Sequence, residues 1–435
     1  MSAVLLIGEG RLADATERAL EAGGAGVTRL HEPSDSEIRE ALEDNVERAV
    51  VVSRYDHVSL RLALVVAHVR EGIPVLATIF DRDVATHLER TVDNVHVLSM
   101  ADIVAPAFAG PCLDPDLISL ARTPSGVQAV AADGDEPRCV APTWSTPSLR
   151  ERVASGLHGL VWPFDAAARI LVLGLLGVLS TLVLEVLVTL VTRDASLVDA
   201  IYSVAKVGVT AGPSQAAEHG PGWFKLFSAV SMLLTLGFTA VFTAGLVNRL
   251  LDPRLTGIVG KAAVPRRDHV VVVGLGQVGF RLCQLFRDLG MPVVAVEQNP
   301  GSKNLPRAKD ERLPVAIGSG NSQRLLRRLS IHRARALAAV TSDEIENIAI
   351  AVAAQAARED IHIAFRAGDG DLTSETRSLF EIGVLRDIYR IAGTALAASA
   401  LGYEVSSAFP HEGTLYLVDH EGEIEPYRVR DLSSA

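Results

Sequence analysis

The stretch "DHVVVVGLGQVGFRLCQLFRDLGMPVVAVEQNP" occupies Asp268–Pro300 and decides how the soluble part of this chain is read. It opens with a strand of the fully buried type. Gly274, Gly276 and Gly279 follow in the spacing G-x-G-x-x-G, then a helical pattern, a second apolar strand and an acid, Glu297. This order of strand, glycine turn, helix, strand and acid is the dinucleotide-binding fingerprint in its proper context. Gly274 permits the tight turn, Gly276 lets backbone approach a pyrophosphate, and Gly279 allows close packing of helix on strand. The helix N-terminus then attracts negative charge. Gln277, inside the same turn, joins the candidate nucleotide contacts. A glycine turn that serves packing alone, or a nucleotide fold with an empty cleft, is the alternative.

Strands and helices continue to alternate through "LPVAIGSGNSQRLLRRLSIHRARALAAVTSDEIENIAIAVAAQA" and "IHIAFRAGDGDLTSETRSLFEIGVLRDIYRIAG". That alternation predicts right-handed crossovers and a parallel sheet. The pattern over Asp268–Leu401 resembles the RCK domain, also called TrkA-N, which regulates conductance in potassium channels and transporters. The resemblance rests on "VVVGLGQVG", Glu297, "GSGNSQRLLRR" and "AAVTSDEIENI". It implies a regulatory nucleotide, NAD(H) or ATP/ADP, over the glycine loop. Ser319 stands where the family usually carries an aspartate, so the ribose or phosphate contact there differs.

An internal repeat supports the same reading. "RAVVVSRYDHVSLRLALVVAHVREGIPVLATIFDRD" (Arg48–Asp83) parallels "LAAVTSDEIENIAIAVAAQAAREDIHIAFRAGDGD" (Leu337–Asp371), and "VLSMADIVAPAFAG" parallels "VLRDIYRIAGTALAAS". Gly126–Val140 and Gly413–Val429 both read as two short strands around a glycine-bearing turn. Each copy is therefore expected to be a Rossmann-like body plus a hairpin. The first copy is degenerate: it has Gly8 and Gly10 but Ala13 in the third glycine position, and a strand and helix are missing after Glu32. It reads as a packing partner of the second copy rather than a nucleotide site. Neither copy shows a catalytic constellation, and His31, His57 and His68 are separated and structural. No enzyme activity is expected.

The chain has 435 residues, enough for roughly two to four domains, and its positive mean hydropathy points to a membrane part. Ile170–Val191 holds one charge, Glu185, and is long enough to cross hydrocarbon; a second span covers Phe224–Leu251. "MSAVLLIGEG" lacks the basic start and long apolar core of a signal peptide. Cys112, Cys139 and Cys283 lack metal-ligand spacing and read as free thiols, and a net charge of −11 argues against nucleic acid. Arg150, Arg152 and Arg169 precede the first span, while Arg249, Arg254, Lys261, Arg266 and Arg267 follow the second. Both termini are therefore expected in the cytoplasm, with a multi-pass chain in the inner membrane and residues 193–223 outside.

"DAIYSVAKVGVTAGPSQ" (Asp199–Gln215) lies between the spans. Span, short amphipathic helix, glycine-bearing loop and span is how a pore-loop channel is built, because non-helical backbone at membrane depth is tolerated only beside protein or water. Asp199 reads as the cap of a pore helix, and Thr210, Ala211, Gly212, Pro213 and Ser214 take the place of a selectivity filter. A re-entrant plug is the alternative. Gly237 is a candidate bend, and Ser228, Ser231, Thr235, Thr239 and Thr243 a candidate wet face. Potassium-channel filters resembling T-V-G-Y-G-D aim successive carbonyls at the ion, whereas Pro213 fixes φ and lacks an N–H. The Thr-Ala-Gly element loosely resembles the filters of the plant Castor and Pollux channels. Lys206 would repel cations at a tetrameric pore unless it is paired behind the loop; Glu185 is the expected partner and Glu218 the second choice.

The expected fold is α/β: two Rossmann-like RCK domains flanking an all-α two-helix pore-loop domain. The expected boundaries are 1–145, a linker 146–168, a pore domain 169–252, a linker 253–266, a second RCK domain 267–402, and a hairpin and tail 403–435. The expected function is a homotetrameric channel for monovalent cations, gated by a nucleotide ligand. A non-conducting nucleotide sensor or a Rossmann oxidoreductase is the alternative.

Overall fold

A computed structural model describes residues 2–43, 45–134, 136–142, 144, 166–193, 196–208, 221–251, 258–259, 265, 267–368 and 382–427. The chain divides into two compact units, residues 1–149 with 260–435, and residues 150–259.

The first unit holds two halves of closely related topology. In the first half, β1 (Ala3–Gly8), α1 (Gly10–Ala22), β2 (Gly26–Leu30), α2 (Asp35–Glu43), β3 (Arg48–Val52), α3 (Asp56–Val69), β4 (Val75–Thr78), α4 (Arg82–Thr91) and β5 (Val95–Leu98) alternate. The strands form a parallel sheet in the order β2-β1-β3-β4-β5. Helix α5 (Met100–Leu113) then leads to β6 (Leu117–Thr123), β7 (Gly126–Asp133) and β8 (Glu136–Val140), which pair antiparallel.

The second half repeats this plan with one strand more among the described residues. It runs through β9 (Val270–Val273), α9 (Gln277–Asp288), β10 (Val293–Glu297), α10 (Leu305–Asp310), β11 (Val315–Ile317), α11 (Gln323–Arg328), β12 (Ala336–Ala339), α12 (Glu344–Ala357), β13 (His362–Arg366), β14 (Val384–Arg386) and α13 (Ile388–Ala400). The sheet order is β11-β10-β9-β12-β13-β14, all parallel. Strands β1 to β5 thus correspond to β9, β10, β12, β13 and β14, and β11 with its helix is the pair that the first half lacks. The four valines of β9 are buried throughout, as expected of a parallel strand covered on both faces. After α13, β15 (Ser407–His411), β16 (Thr414–Val418) and β17 (Ile424–Pro426) form an antiparallel sheet. Each expected hairpin therefore has a third strand ahead of it, β6 or β15. Leu117–Thr123 and Ser407–His411 lack the glycine turn that marks the other strands.

The halves pack reciprocally: α13 lies on α1, and α5 on α9, the helices that follow the first strand of each sheet. This exchange of equivalent contacts is the pattern of a two-fold interface, here within one chain. A Cβ on Gly393 of α13 would fall 2.7 Å from the Ala15 Cβ and 2.8 Å from the Thr16 nitrogen of α1, so a side chain there would push the helices apart. At the other contact the buried Arg281 of α9 pairs with Asp102 of α5 at 3.1 Å and donates to the Phe80 carbonyl at 3.0 Å.

The second unit contains α6 (Ala166–Arg193), α7 (Leu197–Gly208) and α8 (Gly222–Leu251). Helices α6 and α8 are long and apolar enough to cross a membrane over Ile170–Val191 and Gly222–Val247, and 17% of each window is buried. Gly174 and Gly245 let them meet closely: a Cβ on Gly174 would lie 2.7 Å from the Phe242 nitrogen, and one on Gly245 3.0 Å from Leu171. Helix α7 starts two residues before Asp199, just after Ser196, because Leu197 and Val198 both suit a helix. Asp199 is thus in its first turn and not its cap. Helix α8 continues through Gly237, beside which space is open.

Candidate functional site

Both halves line one cleft of about 1420 Å³ at the carboxyl ends of their strands. Open parallel sheets place ligands there because strand order reverses and crossover helices diverge. Gly274, Leu275, Gly276 and Gln277 form one wall, Glu297 and Val340–Glu346 flank it, and Glu9–Leu12 with Val52–Asp56 come from the first half.

Each glycine of the turn does what its position requires. Gly274 has φ +98, and a Cβ there would fall 2.8 Å from the Thr341 nitrogen. A Cβ on Gly279 would meet the Gly274 carbonyl oxygen at 1.9 Å, so helix α9 can approach the turn only without a side chain at that position. Gly276 differs: it has φ −69 and ψ −172, and nothing lies within 4 Å of its Cβ position. Gln277 opens α9, whose first-turn N–H groups lack helical partners and carry the positive end of the helix dipole.

Glu297 ends β10 with its carboxylate braced across the loop: Oε2 accepts from the Leu275 N–H at 3.1 Å and Oε1 from the Asn299 N–H at 2.8 Å. Each oxygen keeps a further lone pair, as a ribose hydroxyl requires. The loop after β12 is held by Asn347, which is buried, accepts from the Thr341 N–H at 2.9 Å and donates to the Thr341 and Arg366 carbonyls. Ser319 lies between Gly318 and Gly320, which line the cleft, but its hydroxyl donates to Asn321 Oδ1 at 2.8 Å. Glu346 is pushed above the ordinary carboxylate range, first by burial and then by the negative charges of Asp343 and Glu297.

The first half's glycine turn is also built, with Gly8 at φ +156 and a would-be Cβ 2.3 Å from the Val52 carbonyl. Strand register places Val296 beside Val273 and Leu30 beside Ile7, so His31 stands where the second half has Glu297. Arg29 folds over α1 in this half, donating to the Gly8 carbonyl at 3.3 Å and pairing with Asp14 and Glu17 at 2.6 Å each. An imidazole therefore stands at the first half's equivalent of the Glu297 position.

Sequence reasoning passed over four further residues of the cleft: Arg11, Glu344, Arg366 and Tyr389. Arg11, in the first turn of α1, pairs with the buried Glu344 at 2.5 Å, and Glu344 also accepts from the Gly368 N–H at 3.0 Å. Arg366 donates to the Tyr389 hydroxyl at 2.8 Å. No spacing rule joins residues so far apart; only "GRLADA" and "SDEIEN" place two of them beside turns.

In the membrane-type unit Glu185 is 3% exposed and its Oε2 accepts from the Ser231 hydroxyl at 3.1 Å. Thr235 donates to Thr181 at 3.2 Å. Ser231 and Thr235 are therefore buried against α6 and do not form the wet face expected of them, because α6 offers Glu185 and Thr181 as partners; Ser228 is also buried, while Thr239 and Thr243 are exposed. The Lys206 side chain, Glu218 and the filter segment Thr210, Ala211, Gly212, Pro213 and Ser214 lie outside the described residues.

Residues 270–384 match the TrkA-N domain. The TrkA-N match holds the whole fingerprint, Glu297, Ser319 and the Asn347 loop. The chain is 24% identical over 166 residues to "Potassium channel protein 1" of Methanocaldococcus jannaschii, a stretch that is 38% of this chain and 48% of that protein. It is 24% identical over 185 residues to an uncharacterized protein of Methanothermus fervidus, covering 42% of this chain and 29% of the other. The chain thus spans about half the length of the first relative and under a third of the second. Among solved structures, the GsuK channel bound to NAD is 12% identical, with 92% of this chain and 64% of that one covered and a TM-score of 0.48. The GsuK RCK domain is also 12% identical, with 92% and 76% covered and a TM-score of 0.46.

Proposed function

We propose that this chain is the subunit of a homotetrameric cation channel of the inner membrane, in which a nucleotide bound at the TrkA-N region controls a two-helix pore. The observation that carries the proposal is the cleft. Its glycine turn leaves open space only at Gly276, where a phosphate would approach, beside a first-turn helix dipole and a braced ribose-type acid. NAD(H) and ATP or ADP all carry the phosphate and ribose that such a site holds. The TrkA-N match, similarity to a potassium channel protein and two helices fit to span a membrane support attaching that site to a pore.

On this reading the first half is a second RCK-like copy that serves as a scaffold, and α7 is the pore helix ahead of a nonstandard filter at Thr210–Ser214. Gly274, Gly276, Gln277, Gly279 and Glu297 hold the ligand, with Ser319 at the edge of the site. Both termini are cytoplasmic, following the arginines that flank the spans. Ligand binding would change the shape of the cytoplasmic unit and reach the pore through the connection after α8. Calorimetry on the purified full chain with NAD(H), ADP and ATP tests the ligand. Heat that saturates with one of them supports the proposal, and no heat with any of them refutes it. A cysteine placed at Ala217 should react with an impermeant thiol reagent outside intact cells; labelling only after lysis would reverse the topology.

A further inference from the structure

We infer that the paired helices α6 and α8 hold a small monovalent cation of the sodium class between them, at a site that does not depend on the nucleotide cleft. The seam where these helices meet is polar through its middle. Between residues 181 and 189 of α6 the buried side chains are Thr181, Glu185 and Thr189, and between 228 and 235 of α8 they are Ser228, Ser231 and Thr235. Leu184, Leu187 and Leu233, on the same turns, are exposed instead. Hydroxyls often join membrane helices by hydrogen bonds, and the bond from Thr235 to Thr181 at 3.2 Å is of that kind. Two features of the seam go beyond that role: it contains a carboxylate, and it contains a hydroxyl that bonds to nothing.

Glu185 is 3% exposed, and among the described residues its hydrogen bond comes from Ser231 alone, at 3.1 Å. A glutamine would accept that bond equally well. A carboxylate between apolar helices stays charged only where a cation accompanies it. Ser228 is also 3% exposed, and its Oγ has no hydrogen-bond partner, which is costly for a buried hydroxyl. It lies about one turn before Ser231 on the same buried face. The pairing of Thr181 with Thr235 and of Glu185 with Ser231 is antiparallel, and continued by one turn it sets Thr189 opposite Ser228. The Glu185 carboxylate and the hydroxyls of Ser228, Ser231 and Thr189 therefore border one stretch of the seam. These are the hard oxygen ligands that alkali and alkaline-earth cations take. Ser231 can donate to Glu185 and still offer a lone pair to a metal. The single carboxylate decides the charge: a monovalent cation makes the seam neutral, whereas a divalent one would leave an uncompensated positive charge among apolar helices.

Thermal unfolding of the full chain in detergent tests the inference, with sodium chloride compared against choline chloride at equal ionic strength and mildly alkaline pH, and no nucleotide present. A ligand that binds only the folded chain raises the Tm by mass action, so the Tm is expected to climb with sodium and to saturate. Glu185→Gln keeps the shape and the bond from Ser231 but removes the charge, and it should abolish the sodium increment. Ser228→Ala should leave the melt in choline unchanged or higher, since it deletes an unsatisfied hydroxyl, while moving half-saturation to about tenfold more sodium. Equal Tm values in sodium and choline overturn the inference; an ammonium such as that of Lys206 in place of the metal would give that result. A sodium increment that survives Glu185→Gln belongs to another site and overturns it too. Stabilisation in choline on acidification, with no sodium increment at alkaline pH, would show that Glu185 holds a proton and not a metal ion, which also overturns it.

Discussion

Substituting Gly276 by alanine separates what the glycine turn does for the fold from what it does for a ligand. The backbone at Gly276 is in an extended region open to any residue, and its Cβ position has no neighbour within 4 Å. Gly276→Ala should therefore change stability by no more than about 0.5 kcal/mol. The methyl group projects into the space through which a phosphate reaches the turn, and it should break one charge-assisted hydrogen bond. Such a bond contributes about 1.5–3 kcal/mol, so nucleotide affinity should fall roughly 10- to 100-fold. Gly279→Ala is the counterpart: its methyl would sit 1.9 Å from the Gly274 carbonyl oxygen, and overpacking there should cost about 1–3 kcal/mol of stability. Denaturant melts and calorimetry on the two variants give all four values. Nucleotide affinity unchanged in a folded Gly276→Ala protein would show that the open space at the turn is not a phosphate site.

Other consequences concern packing and charge. Asp102 is approached by Arg281, Arg82 and Arg122 at 3.1, 2.6 and 3.9 Å, so Asp102→Asn should destabilise the unit by about 3 kcal/mol or more, with partial recovery on adding Arg281→Met; a loss under about 1 kcal/mol in urea melts would contradict this. His269 is fully buried, with Nε2 on the Leu329 carbonyl, and burial holds its pKa down at about 4 from 6.5. The unfolded chain then binds the extra proton first, so stability present above pH 6.5 should fall by about 3 kcal/mol as pH drops toward 4, and His269→Gln should flatten that slope in pH-dependent melts. Ser231→Ala should weaken the α6–α8 pairing by about 1–3 kcal/mol, since it strips a buried carboxylate of its donor, and Glu185→Gln should relieve the loss. Additive effects in that double-mutant cycle would leave Glu185 free for Lys206.

The sequence showed the second half's fold plainly, because its signals are local: a valine strand, glycines at fixed offsets and an acid about 18 residues on. The loss of a strand and helix in the first half was also readable, from the shortened distance between Glu32 and the valines at 50–52. What escaped was long-range. That α13 lies on α1 through Gly393, and that Arg11 crosses the cleft to Glu344, depends on how two halves dock, and no periodicity encodes docking. The polar stripe of α8 was legible as a stripe, but its direction was not. A serine facing a pore and one facing a buried glutamate have the same spacing, and only the position of Glu185 on the opposing helix distinguishes them. His31 in place of an acid emerged only from strand register, since Glu32 beside it is the residue a reader of the sequence would notice.

The central claim joins a nucleotide cleft to an ion pathway, and flux through the purified chain in liposomes tests that joint most directly. Potassium, sodium and rubidium would be offered in turn, each with and without NAD(H), ADP and ATP. The account predicts a cation flux whose rate changes with one of these nucleotides, and a nucleotide response that Gly276→Ala shifts to roughly 10- to 100-fold higher concentration. A reconstituted, folded protein that binds nucleotide yet passes none of the cations, in any ligand state, would contradict it.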